Sequence, residues 1–173
     1  PIVKPELVNE ALSLAESLGF DIRPEGNLPV NENTTPSCCI DSVGALLQAL
    51  SAAAGSKLIG EIGTGAGVGT AWLAAGKRQS AKLITVELDA DLHSAVHDLF
   101  ANEPDITVLC GDWRSEFKSH APFDLLFADG GGIGTMREQD WEEAANLVSA
   151  GGIMVIDDLT PEILWPDVWR GKP

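Results

Sequence analysis

Apolar residues recur at helical spacing over residues 5–18, where Leu7, Val8, Ala11, Leu12, Leu14, Ala15 and Leu18 fall near i, i+3, i+4, and Gly19 follows as a stop. This pattern predicts an amphipathic helix. Over 21–37 the periodicity is broken by Pro24, Gly26, Pro29 and Pro36, so the stretch reads as a connecting loop and a candidate lid. A second helix is predicted over 37–54, with Gly55 behind it. From there apolar strands alternate with helical segments. The strands are predicted at 57–62, 82–87, 106–109, 123–128 and 152–156. The helices centre on 70–75, 91–101 and 136–149, with a short one near 114–117. Alternation of this kind implies a parallel sheet with right-handed crossovers, covered on both faces.

The 173 residues suit one domain of ordinary size. With 45% hydrophobic and 21% charged residues the chain can bury a core, which argues against disorder. Apolar runs such as 153–156 fall far short of the ~20 residues of a membrane span. The opening Pro1-Ile2-Val3-Lys4-Pro5 lacks a signal pattern, so a cytoplasmic protein is expected. Eleven Lys and Arg against 26 Asp and Glu give a net charge of −15, a field that repels nucleic acid and anionic lipid and favours a cationic or neutral small ligand. Cys38, Cys39 and Cys110 make neither an even disulfide framework nor a CxxC pair. Cys38 and Cys39 read as reduced, small apolar side chains entering a helix.

The strongest chemical signal is Glu61-Ile62-Gly63-Thr64-Gly65-Ala66-Gly67-Val68-Gly69, where the first strand turns into a helix. Glycines there let the backbone pass close to a ligand at the helix N-terminus. A dinucleotide fingerprint G-x-G-x-x-G fails, because the sixth residue from Gly63 is Val68 and from Gly65 is Thr70. A phosphate-binding P-loop would end in Gly-Lys-Ser/Thr, and no lysine lies between Lys57 and Lys77. What remains is an acidic, triple-glycine loop followed by Glu87 at the next strand end. A carboxylate in that place can accept both hydroxyls of a ribose, so the ligand reads as a nucleoside.

Together these residues resemble the class I S-adenosylmethionine-dependent methyltransferases, whose first motif is such a loop and whose second ends in an acid after an apolar strand. Gly111-Asp112 and Phe123-Asp124-Leu125-Leu126-Phe127-Ala128-Asp129 are similar to the family's third and fourth motifs. The resemblance covers about residues 37–160. It implies that Glu61, Gly63, Thr64, Gly65 and Gly67 hold the methionine part of the cofactor and that Glu87, with Leu88 beside it, binds the ribose. It further implies that Asp112 faces the adenine amine, that Trp113 walls the ring, and that Asp129 adjoins the cofactor. Core packing of Trp113 stays open as an alternative. Trp72 and Trp141, on helices at apolar spacing, read as core.

Within that class, Gly151-Gly152-Ile153-Met154-Val155-Ile156-Asp157-Asp158 looks like the fifth strand of the cation-dependent O-methyltransferases of the catechol and caffeoyl-CoA type. In them an Asp after the fourth strand and an Asp-Asn pair after the fifth hold a divalent ion. Asp129, Asp157 and Asp158 occupy those positions, and an all-oxygen set suits Mg²⁺. Asp129 is also the catalytic candidate. Two departures stand out: the pair reads Asp-Asp, and Gly132 replaces the family's lysine. The alternative that these acids line a polar cleft mouth stays open. His120 falls at the opposite sheet end, and His93 with His97 reads as a solvated helix face.

The expected architecture is one α/β domain over 1–173: a helix and loop at 1–36, a cofactor-binding core at 37–160 and a tail at 161–173. Its sheet is Rossmann-like, doubly wound and parallel, in order 3-2-1-4-5. The family's C-terminal antiparallel strands are expected to be absent, since only fifteen residues follow Asp158, either in a short protein or in a sequence lacking its end. The expected activity is O-methylation of a small-molecule acceptor, with no nucleic acid or membrane partner and with a homodimer open. A nicotinamide-dependent oxidoreductase and a non-catalytic nucleoside-binding module remain the competing readings.

Overall fold

Strand residues alternate between two faces, and each face carries its own apolar set. The computed structural model describes residues 2–22, 38–53, 55, 57–130 and 138–157. The candidate lid at 23–37, Gly132, Asp158 and the tail at 161–173 lie outside the described residues, as does the side chain of Trp141. Among the described residues five strands form one sheet: β1 (Leu58–Ile62), β2 (Lys82–Glu87), β3 (Ile106–Cys110), β4 (Phe123–Ala128) and β5 (Val148–Ile156). Their order is β3-β2-β1-β4-β5, with all pairs parallel, as the alternation predicts. Helices α1 (Glu6–Ser17), α2 (Asp41–Ala53), α3 (Val68–Gly76), α4 (Ala90–Leu99), α5 (Trp113–Glu116) and α6 (Glu138–Ala145) cover it.

On one face Ile59, Leu83, Leu125 and Phe127 pack with Val8, Leu47, Trp72 and Val96 from the first four helices. On the other, Ile62, Ile84, Val86 and Leu126 pack with Trp113, Phe117 and Ala144. The two-residue period therefore decides which layer each strand position meets. It also places Glu61 and Thr85 on the α3 side, in register across β1 and β2.

The boundaries differ from the sequence expectation mainly at the end. Helical spacing of Ala144, Ala145 and Val148 predicts a helix through 149, but α6 ends at Ala145 and β5 starts at Val148. Val148 pairs with Phe123, the register then shifts, and Leu125 pairs with Ile153. The extra residues bulge around Gly151 at φ +82°, and the Ser149 hydroxyl donates to Asp124 Oδ1 at 3.2 Å. Asp124 Oδ2 accepts from the backbone N–H groups of Lys57 and Leu58, which holds its carboxyl below the usual range. Apolar spacing cannot separate a helix end from a bulged strand start. The second helix likewise begins only at Asp41, leaving 38–40 as a connector.

Helix α3 rests on α2 through close approaches at Gly44 and at Gly76. Trp72 is fully buried, and a Cβ on Gly44 would lie 2.2 Å from its Nε1. Gly44→Ala must therefore displace the indole beneath the helix that carries the glycine loop. A loss of about 1–3 kcal/mol in urea unfolding is expected; a variant as stable as the parent would show that the ring has room to move.

Candidate functional site

The carboxyl ends of β1, β2, β3, β4 and β5 open into one cleft of about 1020 Å³. Its size allows a nucleoside-sized ligand with a second small molecule beside it. The glycine loop forms its floor. Gly67, at φ +83°, starts α3, and Gly63, at φ +88°, turns the chain tightly against β4. A Cβ on Gly63 would lie 2.6 Å from the carbonyl oxygen of Asp129. Only glycine fits both that φ and that approach. The backbone N–H of Gly63 donates to the Val86 carbonyl at 3.0 Å, and that of Gly65 donates to Glu87 Oε2 at 2.8 Å. The loop is thereby fastened to the end of β2.

Glu87 is 9% exposed, and its Oε1 also accepts from the Asp89 N–H at 3.0 Å. Two backbone donors fix the carboxylate at the cleft wall. Asp112 caps α5, accepting from the Arg114 N–H at 2.8 Å, and is one of the residues lining the cleft. Trp113 is 5% exposed, so both readings of it hold in part: it belongs to the second core layer and still lines the cleft. Leu88 is exposed beside Glu87.

The sequence-predicted residues Glu61, Gly63, Thr64, Gly65, Glu87, Leu88, Asp112, Trp113, Asp129 and Asp157 all line this cleft, whereas Gly67 serves the loop turn behind it. Asp129 and Asp157 follow neighbouring strands. The N–H of Asp129 donates to the Ile62 carbonyl, and that of Asp157 donates to the Ala128 carbonyl. Among the described residues no group of three His, Cys, Asp or Glu side chains is placed to hold a metal ion. The third predicted ligand, Asp158, lies outside the described residues.

Sequence reasoning missed the wall contributed from before β1. Phe20, Cys38, Cys39, Ile40 and Val43 line the cleft, and the Phe20 ring stands above Gly65. No periodicity signals this, because the wall is made by residues at helix ends and in a connector. Burial pushes both thiols up, and the nearby acids add to it, so these cysteines are poor nucleophiles. Arg114 was also missed. His93 departs from the solvated-face expectation, since it is half-buried with Nε2 3.3 Å from the Val108 carbonyl.

Below the loop lies the most buried acid among the described residues. Glu61 is 1% exposed and accepts from the Thr70 hydroxyl, while Thr64 and Thr85 share a hydrogen bond of 2.6 Å next to it. A Cβ on Gly69 would lie 2.5 Å from Glu61 Oε1, so the acid sits directly against the first turn of α3. Burial pushes Glu61 up to about 7; Thr70 and Thr85 lower it, and the charge of Glu87 raises it. The folded chain thus keeps a proton that an unfolded chain releases near 4.5. The stabilisation tied to that proton is complete below 4.5 and is lost as pH rises through about 7. Relative to Glu61→Gln, which cannot ionise, the wild-type melting temperature should fall between about pH 5 and pH 8. Parallel curves for the two proteins would show that the carboxyl is charged throughout.

The family of methyltransferase domains matches residues 61–159. A curated relative from Mycobacterium tuberculosis, provisionally named as an O-methyltransferase, is 32% identical over 122 residues, covering 66% of this chain and 53% of the relative. A counterpart from Mycobacterium avium is 32% identical over 122 residues, covering 66% and 54%. The chain spans about half the length of the curated relatives it matches. Among solved structures, an O-methyltransferase from Bacillus cereus in complex with SAH is 24% identical with a TM-score of 0.69, covering 93% of this chain and 70% of that one. The O-methyltransferase from Streptomyces achromogenes involved in tomaymycin synthesis, in complex with SAM, is 19% identical with a TM-score of 0.69, covering 90% and 66%. At these identities the structural likeness concerns the fold. The family match spans more than half of the sequence and takes in the glycine loop, Glu87, Asp112 and Asp129, and by it this chain belongs to the methyltransferase-domain family.

Proposed function

We propose that the chain binds S-adenosylmethionine along the carboxyl ends of β1 to β4 and transfers its methyl group to a hydroxyl of a small acceptor. The observation that carries this reading is Glu87, fixed by Gly65 and Asp89 where the glycine loop meets the end of β2. A carboxylate so placed suits a ribose diol. The cleft is lined by Glu87, Asp89, Asp112, Asp129 and Asp157, a field that favours a ligand carrying a sulfonium and an ammonium charge. The provisional names of the curated relatives and the cofactors in the titles of the solved structures support the same choice.

The sulfonium methyl carbon is already electrophilic. When bound, S-adenosylmethionine would supply that carbon with its sulfur as the leaving group, and the acceptor oxygen beside Asp129 would take the methyl while its proton passes to water. The protein's work is to align oxygen, methyl and sulfur and to exclude water. Asp129, at the cleft between the loop and β5, is the residue proposed to meet the acceptor. Phe20, Ile40 and Val43 supply an apolar wall for its body. A divalent cation held by Asp129, Asp157 and Asp158 would polarise the acceptor hydroxyl. The oxygen donors of Asp129 and Asp157, on adjacent strand ends, suit such an ion.

Calorimetric titration should show S-adenosylhomocysteine binding more tightly than NAD. The reverse preference would favour an oxidoreductase. Glu87→Ala should weaken the homocysteine ligand by about tenfold or more, as expected for loss of charge-assisted hydrogen bonds; equal affinity would move the ribose elsewhere. In a radiolabelled methyl-transfer screen over catechols, other phenols and amines, a hydroxyl acceptor should be labelled. Chelator should stop that transfer and Mg²⁺ restore it, and full activity in chelator would leave Asp129 and Asp157 as a polar rim. Absence of any methylated product would point instead to a binding module.

A further inference from the structure

Arg114 is a cleft residue that the motifs do not explain. Its guanidinium carbon lies over the Trp113 ring, 4.4 Å from the centroid. Its Nε donates to Glu143 Oε2 at 3.0 Å, and a terminal nitrogen lies 3.7 Å from Asp112 Oδ1. An arginine held on both sides by carboxylates and laid on an indole has little rotamer freedom left to lose. Trp113, by contrast, has almost no free surface, and its Nε1 is buried without a hydrogen-bond partner among the described residues. Both residues line the cleft, with the indole the more enclosed of the two.

Strand order says what would arrive there. β2 carries Glu87 and pairs with β3, with Glu87 opposite Cys110, and the chain then passes through Gly111 and Asp112 to Arg114. A nucleoside with its ribose on Glu87 and its 5′ side toward the glycine loop on β1 must direct its base toward the β3 end. We propose that the guanidinium of Arg114, held over Trp113 by Glu143 and Asp112, is the stacking platform for the adenine ring, and so supplies the part of the affinity that depends on the base. This rests on the reading of the cleft as an S-adenosylmethionine site. A planar cation suits the π-face of a purine, and lysine would keep the charge without the plane.

The test compares wild type, Arg114→Ala and Arg114→Lys by calorimetry, with melting temperature as the check on folding. The ligands are S-adenosylhomocysteine and S-ribosylhomocysteine, which lacks the base. Both variants should bind S-adenosylhomocysteine about tenfold more weakly, while affinity for the base-free ligand stays within about twofold. Wild-type affinity in the lysine variant would overturn the proposal, since charge alone would then suffice. Equal losses for both ligands would overturn it too, by making Arg114 a support of the whole cleft. Failure of the wild-type protein to bind S-adenosylhomocysteine would instead remove the reading of the cleft, and the platform with it.

Discussion

The cleft depends on how closely two backbone segments can approach. Gly63 turns in a left-handed conformation against the main chain of Asp129 and Gly130, and the space left there admits no side chain. That contact brings the end of β1 against the end of β4. It is why the glycine loop and Asp129 face a single volume rather than two grooves. Val86 then pins the same turn from β2 through its carbonyl. A bulkier residue at 63 would separate the strands at the base of the cleft.

Electrostatics follow from this geometry. Burial beneath the loop raises the cost of charging Glu61, which holds its proton to near neutrality. Its partners are hydroxyls rather than cations, so the polar layer beneath the loop is satisfied without a fixed positive charge. Glu87 is handled differently: two backbone N–H groups receive its oxygens at the cleft wall. Two glutamates one strand apart thus differ by their donors and their depth.

Much of this was legible in the chain. The alternation after residue 57, the triple-glycine turn and the acids ending successive strands determine the sheet and most of the cleft lining, because each follows from short-range spacing. The start of β5 was not legible, since Ala144, Ala145 and Val148 satisfy a helical period although Val148 pairs with Phe123. Nor was the wall of Phe20, Cys38 and Ile40, which comes from a distant segment and has no period to betray it. Arg114 escaped for another reason. A charged residue in the first turn of a short helix reads as solvent-facing until Trp113 and Glu143 are seen around it.

The bulge in β5 separates the two ends of the sheet mechanically. Residues between Val148 and Ile153 are taken up at the amino end, where Asp124 gathers Ser149 and the start of β1, and regular pairing then runs from Ile153 to Ile156. A change in loop length at that far rim can be absorbed as slack before the ladder resumes. Asp157 therefore keeps its height beside Asp129 while the opposite edge of the molecule is free to drift in sequence and shape.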